Sequence, residues 1–248
     1  MVRMHTFDAA SFEATGEPIF CIGHSHLSAV SQAALATGTA IKGINFWDIP
    51  GAVEGDGAQL RFTSWIEEAI LAQNGPVFSF VGGSVHNVMG LVAHPRPFDF
   101  VLPWATDLPI DKNAEYLPYQ IARRLTKNLS AQYLFQMMRI RKLCRGEMIH
   151  ISPPPPSANQ IRLSKDIPWN MYPEMTDQVA SACLRMKLWL LQANIVSNWC
   201  IENSITYVPS PDVAADGNGY LIEEYYRDGA HANAAYGELV LRQMRRHG

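Results

Sequence analysis

The 248-residue sequence lacks a charge imbalance, with 20 Lys+Arg against 23 Asp+Glu for a formal net charge of −3. That balance leaves no electrostatic footprint for a polyanion, so a nucleic-acid partner is not expected. Nor is there an uninterrupted apolar run of the ~18 residues a membrane span requires, and no membrane partner is expected. The opening Met1-Val2-Arg3-Met4-His5-Thr6-Phe7-Asp8 has an early acid and no apolar stretch behind its arginine. This is not the layout of a secretory signal, and the expectation is a soluble cytoplasmic protein. The four cysteines, Cys21, Cys144, Cys183 and Cys200, form no CxxC pair. Neither a zinc knuckle nor a redox couple is signalled, and buried free thiols are expected. Charged residues are scarce at 17% while hydrophobic ones reach 48%. A disordered chain is excluded, a sizeable core is available, and the length fits one domain spanning 1–248.

What is present alternates. Pro18 to Ile22 is a short apolar run ended by Gly23, followed by small helix-compatible residues from Ser25 to Ala36. Strand and helix then recur: a strand over Ala40–Trp47, a helix over Thr63–Gln73, and a buried strand over Val77–Val81 closed by Gly82-Gly83. A helix over Leu117–Cys144 leads into the strand Met148–Ile151. A helical stretch from Glu174 to Ile201 precedes Ile205–Val208, and Ala232–Arg246 closes the chain as a helix. Five strands alternating with helices predict an α/β fold with a parallel sheet covered on both faces. The irregular stretch from Gly82 to Glu115, with Pro95, Pro97, Pro103 and Pro109, reads as a lid, a substrate-contacting segment or a surface excursion. Pro153 to Pro156 reads as a rigid loop after the fourth strand.

In such a sheet chemistry gathers at the carboxyl ends of the strands. Gly23-His24-Ser25-His26 lies at the first of them. Ser25 there has its hydroxyl at the sheet edge, near the free amides of a helix start that would serve a developing oxyanion; the plain alternative is a helix-capping serine. Asp228-Gly229-Ala230-His231 falls between the last strand and the last helix. A three-residue separation in a turn lets the carboxylate reach one imidazole nitrogen while the other faces outward, which fixes the tautomer a general base needs. The plain alternative is a capping acid beside a surface histidine.

Taken together, three features resemble the SGNH (GDSL-like) hydrolase superfamily across nearly the whole chain: strand–Gly-x-Ser–helix near the N-terminus, a Gly-Gly loop with Ser and Asn after the third strand, and Asp-x-x-His near the C-terminus. Asp228-Gly229-Ala230-His231-Ala232-Asn233 followed by Gly237 looks like that family's final block. The resemblance implies a three-layer α/β/α flavodoxin-like sandwich with a five-stranded parallel sheet. It further implies a Ser25-His231-Asp228 catalytic triad that acts on a small-molecule ester, small or carbohydrate-linked, without a metal or other cofactor. An oxyanion hole would be drawn from the Ser25 amide, from Gly51 ahead of Gly55 and Gly57, and from Asn87 or Ser84. By register the family's asparagine falls on Ser84, and by chemistry Asn87 is the better donor. One departure is that His24 stands where the family commonly has an acid.

Three other readings compete. The same scaffold supports an acyltransferase, since transfer to an alcohol and hydrolysis share the acyl-enzyme. His24-x-His26 also looks like a metal-dependent barrel hydrolase, with His150 and Asp212 as further ligand candidates, but that fold needs eight strands. A non-catalytic binding module would have no use for Ser25, Asp228 and His231 together. The six tryptophans offer faces for sugars, although core packing is the usual use of such residues.

Overall fold

The computed structural model describes residues 18–167, 169–171 and 174–247. The reading of Met1 to Asp8 lies outside them. Five strands form one sheet: β1 (Ile19–Gly23), β2 (Ile41–Asn45), β3 (Val77–Phe80), β4 (Met148–Ile151) and β5 (Thr206–Val208). All pairings are parallel, in the order β2-β1-β3-β4-β5. This is the expected flavodoxin-like arrangement, with its topological switch at β1 and β3.

Parallel strands are buried on both faces, which is why they read as continuous apolar runs. Register decides which residue faces which layer. Cys21, Phe78 and Ile149 stand in one row and pack with α1 (Leu27–Thr37), through Val30, and α7 (Ala234–Met244), through Val240. Their neighbours Ile22, Val77 and Met148 point the other way. They meet Ile66 and Ile70 of α2 (Ser64–Leu71), Met137 and Ile140 of α4 (Tyr119–Leu143) and Val196 of α6 (Ala182–Glu202). The three layers follow from that alternation. Cys21, Cys144 and Cys200 are buried, Cys183 is half-buried, and all four are free thiols.

The long helix expected from Glu174 begins at Ala182 instead. The Ser181 side chain accepts from the Leu184 N–H and caps it there, while upstream Ala93 N–H bonds the Gln178 carbonyl and Val179 bridges Val92. Two short helices appear where none was read: α3 (Val85–Gly90) and α5 (Gln160–Asp166). The Gly82–Glu115 stretch is no loose lid. Its Phe100 and Leu102 are fully buried in a cluster of their own with Leu188, Leu191 and Ile195 of α6. Asp99 in this stretch pairs with Lys187 at 2.8 Å, both side chains being essentially inaccessible to solvent.

Two close approaches place the site. A Cβ on Gly23 would lie 2.4 Å from the Phe80 carbonyl carbon, so only glycine lets β1 end against β3 there. A Cβ on Gly237 would lie 2.1 Å from the Ala29 carbonyl oxygen. That glycine lets α7 pack directly on α1. Since Ser25 precedes α1 by two residues and His231 precedes α7 by three, the same packing brings the two side chains together.

Candidate active site

The turn that carries Asp228 and His231 is built locally. Tyr226–Asp228 pairs antiparallel with His231–Ala232, and the Ala230 N–H donates to Asp228 Oδ1 at 3.0 Å, closing the turn. Asn233 then caps α7, accepting from Ala235 and Tyr236 N–H groups while its Nδ2 donates to the Glu224 carbonyl at 2.7 Å. The motif tail is therefore a folding device that fixes where the imidazole points.

His231 Nδ1 lies 2.7 Å from Asp228 Oδ1, and its Nε2 lies 2.8 Å from Ser25 Oγ. Burial opposes ionisation of Asp228. It is outweighed by hydrogen bonds from His231, the Ala230 amide and Arg227, which hold the carboxyl well below the usual carboxylate range. An ionised Asp228 accepts only, so Nδ1 carries the imidazole proton and Nε2 presents a lone pair to the Ser25 hydroxyl. The structure brings these three residues together from opposite ends of the chain. The Ser25 amide donates to no protein carbonyl among the described residues, so it is free to meet a substrate oxygen.

The remaining oxyanion candidates separate. Asn87, in α3, lines an open cleft together with Asp228 and His231. Ser84 lies at the turn before α3 and is not on that wall. Gly51 lies beyond the 3-10 turn Phe46–Asp48, exposed, with φ +71° and open space at its Cα. No hydrogen bond joins it to Ser25, Asp228 or His231.

His24 and His26 do not converge as a ligand pair. His24 Nδ1 accepts from the Gly82 N–H at 3.1 Å, and its ring lies against Phe46, Trp47 and Tyr133. It ties the nucleophile turn to the Gly82-Gly83 loop, and burial lowers its pKa to about 4. The His26 ring faces His231 instead, 5.5 Å between centroids. Its Nε2 is buried with no hydrogen-bond partner among the described residues, and burial, reinforced by the proximity of the His231 imidazole, lowers its pKa to about 3. The barrel reading fails on the five-stranded sheet, and no group of three or more His, Cys, Asp or Glu among the described residues is arranged to hold a metal ion.

Three supporting residues were not legible. Arg227 donates to Asp228 Oδ2 and to Ser28 Oγ. Its position beside Asp228 was the one signal available. Gln192 of α6 accepts through Oε1 from the His86 N–H and ring Nδ1–H, and donates through Nε2 to the Gly82 carbonyl. Arg185, also of α6, lines the cleft. Nothing in the apolar periodicity of that helix marks either residue. The proline run, by contrast, matches its reading: Pro153 to Pro156 are all buried, and Pro154, Pro155 and Pro156 line the cleft. A loop without N–H groups can be buried there without orphaned donors.

No family model and no curated protein matches this chain. Among solved structures it is similar to a GDSL-like lipase from Bacteroides thetaiotaomicron, at 15% identity over 92% of this chain and 85% of that one, with a TM-score of 0.43. It is also similar to a carbohydrate acetylesterase from Sinorhizobium meliloti, at 11% identity over 92% and 96%, TM-score 0.40. A third is the periplasmic domain of a lipopolysaccharide acetyltransferase from Salmonella Paratyphi A, at 12% identity over 92% and 82%, TM-score 0.41.

Proposed function

We propose that this protein is a serine acyl hydrolase acting on a small or carbohydrate-linked ester. The observation that carries the reading is the unbroken hydrogen-bonded chain from Ser25 Oγ through His231 to Asp228. His231 Nε2 takes the Ser25 proton as Oγ attacks the ester carbonyl, and Asp228 stabilises the imidazolium that forms. The Ser25 amide and the Asn87 side-chain amide bind the oxyanion. The imidazolium returns its proton to the departing alcohol, leaving an acyl-Ser25. A water activated by His231 then attacks that acyl group, releasing the acid and restoring the hydroxyl. Trp47, exposed and with its ring 5.6 Å from that of His24 beside the nucleophile, offers a stacking face for a sugar.

The test is turnover of chromogenic esters of increasing acyl length, combined with fluorophosphonate labelling. Activity is expected, with the label on Ser25 alone. Ser25→Ala should remove both while leaving the thermal midpoint within a degree or two. A label on any other residue overturns the assignment. Product appearing on an added sugar in place of free acid would move the reading to acyl transfer on the same site.

A further inference from the structure

The cleft beside the triad contains a cation with no anion. Arg185 stands in the first turn of α6, only 2% exposed, and lines the same cleft as Asn87, Asp228 and His231. Nη1 donates to the Ala180 carbonyl and Nη2 to the Ser157 carbonyl at 2.7 Å, which pins the guanidinium in place. A guanidinium has five N–H donors, so these two bonds leave the rest unused, and Nε is buried with no hydrogen-bond partner among the described residues.

Several other cations of the chain, buried or engaged in structure, have an acid. Lys187, two residues on and equally buried, is matched by Asp99. Arg227, Arg139 and Arg162 pair with Asp228, Glu67 and Glu223. For Arg185 no carboxylate partner occurs among the described residues. The acid that shares its cleft is already taken, since the Asp228 oxygens accept from His231, Ala230 and Arg227. Burial lowers the Arg185 pKa to about 10, a shift the nearby phenols of Tyr220 and Tyr226 oppose, so it remains a cation at neutral pH. An unmatched buried charge is strongly unfavourable, and a planar fork of N–H groups is the geometry that receives a carboxylate through two bonds.

We propose that Arg185 is the specificity residue of this cleft and holds a carboxylate of the substrate, so that the esters cleaved at Ser25 are anionic. This rests on the acyl-hydrolase reading. The carboxylate has two possible places, on the acyl part or on the alcohol part. Arg185 therefore acts on substrate binding, and its loss should raise KM for anionic esters more than it lowers kcat for neutral ones.

The experiment compares monoethyl succinate with its neutral isostere ethyl 4-methylpentanoate, and O-acetylglycolate with its methyl ester, by release of acid in a pH-stat. The wild-type protein should favour the anionic member of at least one pair by tenfold or more in kcat/KM. Arg185→Met should abolish that preference while keeping neutral-ester turnover within about threefold. Arg185→Lys, which keeps the charge without the fork, should retain part of it. Equal rates within both pairs for the wild-type protein, or an undiminished preference in a folded Arg185→Met, would overturn the proposal. Should the wild-type protein cleave no ester at all, the hydrolase reading fails separately. Calorimetric titration with succinate and glycolate then decides on Arg185 alone: binding by the wild-type protein supports the carboxylate site, and no binding refutes it. The wild-type comparison and this titration stand even if Arg185→Met does not fold.

Discussion

Arg227 donates through Nε to Asp228 Oδ2 at 2.9 Å and through Nη1 to Ser28 Oγ at 2.7 Å, so the candidate triad acid is anchored to the helix that follows the nucleophile. Both partners of the ion pair are about one-third exposed, and pairs of that kind contribute ~0–1 kcal/mol. Arg227→Met should therefore lower turnover by no more than about fivefold, with KM unchanged. Asp228→Asn should cost up to ~10⁴, because it favours the wrong tautomer of His231. Steady-state kinetics on one chromogenic ester measures both. Equal losses would show that Arg227 touches the reacting groups directly.

The two asparagine and serine candidates near α3 differ in a way kinetics can read. Asn87 faces the cleft that holds His231, so Asn87→Ala should reduce kcat by ~10²–10³ with little change in KM, as for a donor that acts on charge developing in the transition state. Ser84→Ala should stay near the wild-type rate. The reverse pattern would place the second oxyanion donor on Ser84.

The strands β1, β3 and β4 were legible because each is buried on both faces, so its residues need no alternation to be recognised, whereas the edge strands β2 and β5 are only partly buried and were read from the alternation with helices. The triad was legible for a different reason: Ser25 precedes a helix directly, and Asp228 and His231 belong to one turn whose spacing is itself the geometry. Residues whose partners are remote in sequence gave no such signal. Gln192 reaches His86 and Gly82 across more than a hundred positions, and Lys187 reaches Asp99 across 88. On α6 each looks like one polar residue in an apolar helix. The start of that helix was misread because residues 174–181 offer no breaker, and only the Ser181 cap and the pairing with Val92 and Ala93 settle it.

The Lys187–Asp99 pair should dominate the stability of the segment after α3. Asp99 also accepts from the Phe100 and Asp111 amides, and Lys187 donates to the Pro109 carbonyl, so the pair organises the loop as well as neutralising two buried charges. Lys187→Met should cost ~3–5 kcal/mol, since it strands a buried carboxylate. Adding Asp99→Asn should recover part of that loss. Urea unfolding monitored by tryptophan fluorescence reads both. A loss under ~1 kcal/mol would show that the carboxylate is solvated or protonated without its lysine.

Four histidines, His24, His26, His86 and His150, are held neutral in the folded chain, with burial as the first cause and pKa values of about 4, 3, 4 and 4. Unfolded, each would titrate near its ordinary value of 6.5. Between those values the unfolded state binds protons that the folded state does not, so stability is complete above ~6.5 and declines as pH falls towards ~4. For one such group the loss between pH 7 and pH 5 is ~2 kcal/mol. His150 isolates the effect. It lies in the middle of the sheet with Nδ1 3.4 Å from Ser79 Oγ and its ring against Tyr207, and it has no contact with the triad. His150→Gln should therefore start from a lower stability at pH 7 yet lose ~2 kcal/mol less than the wild-type protein on acidification to pH 5. Denaturant melts of both proteins at the two pH values give the difference directly. Parallel losses in the two proteins would mean that His150 takes up its proton without unfolding.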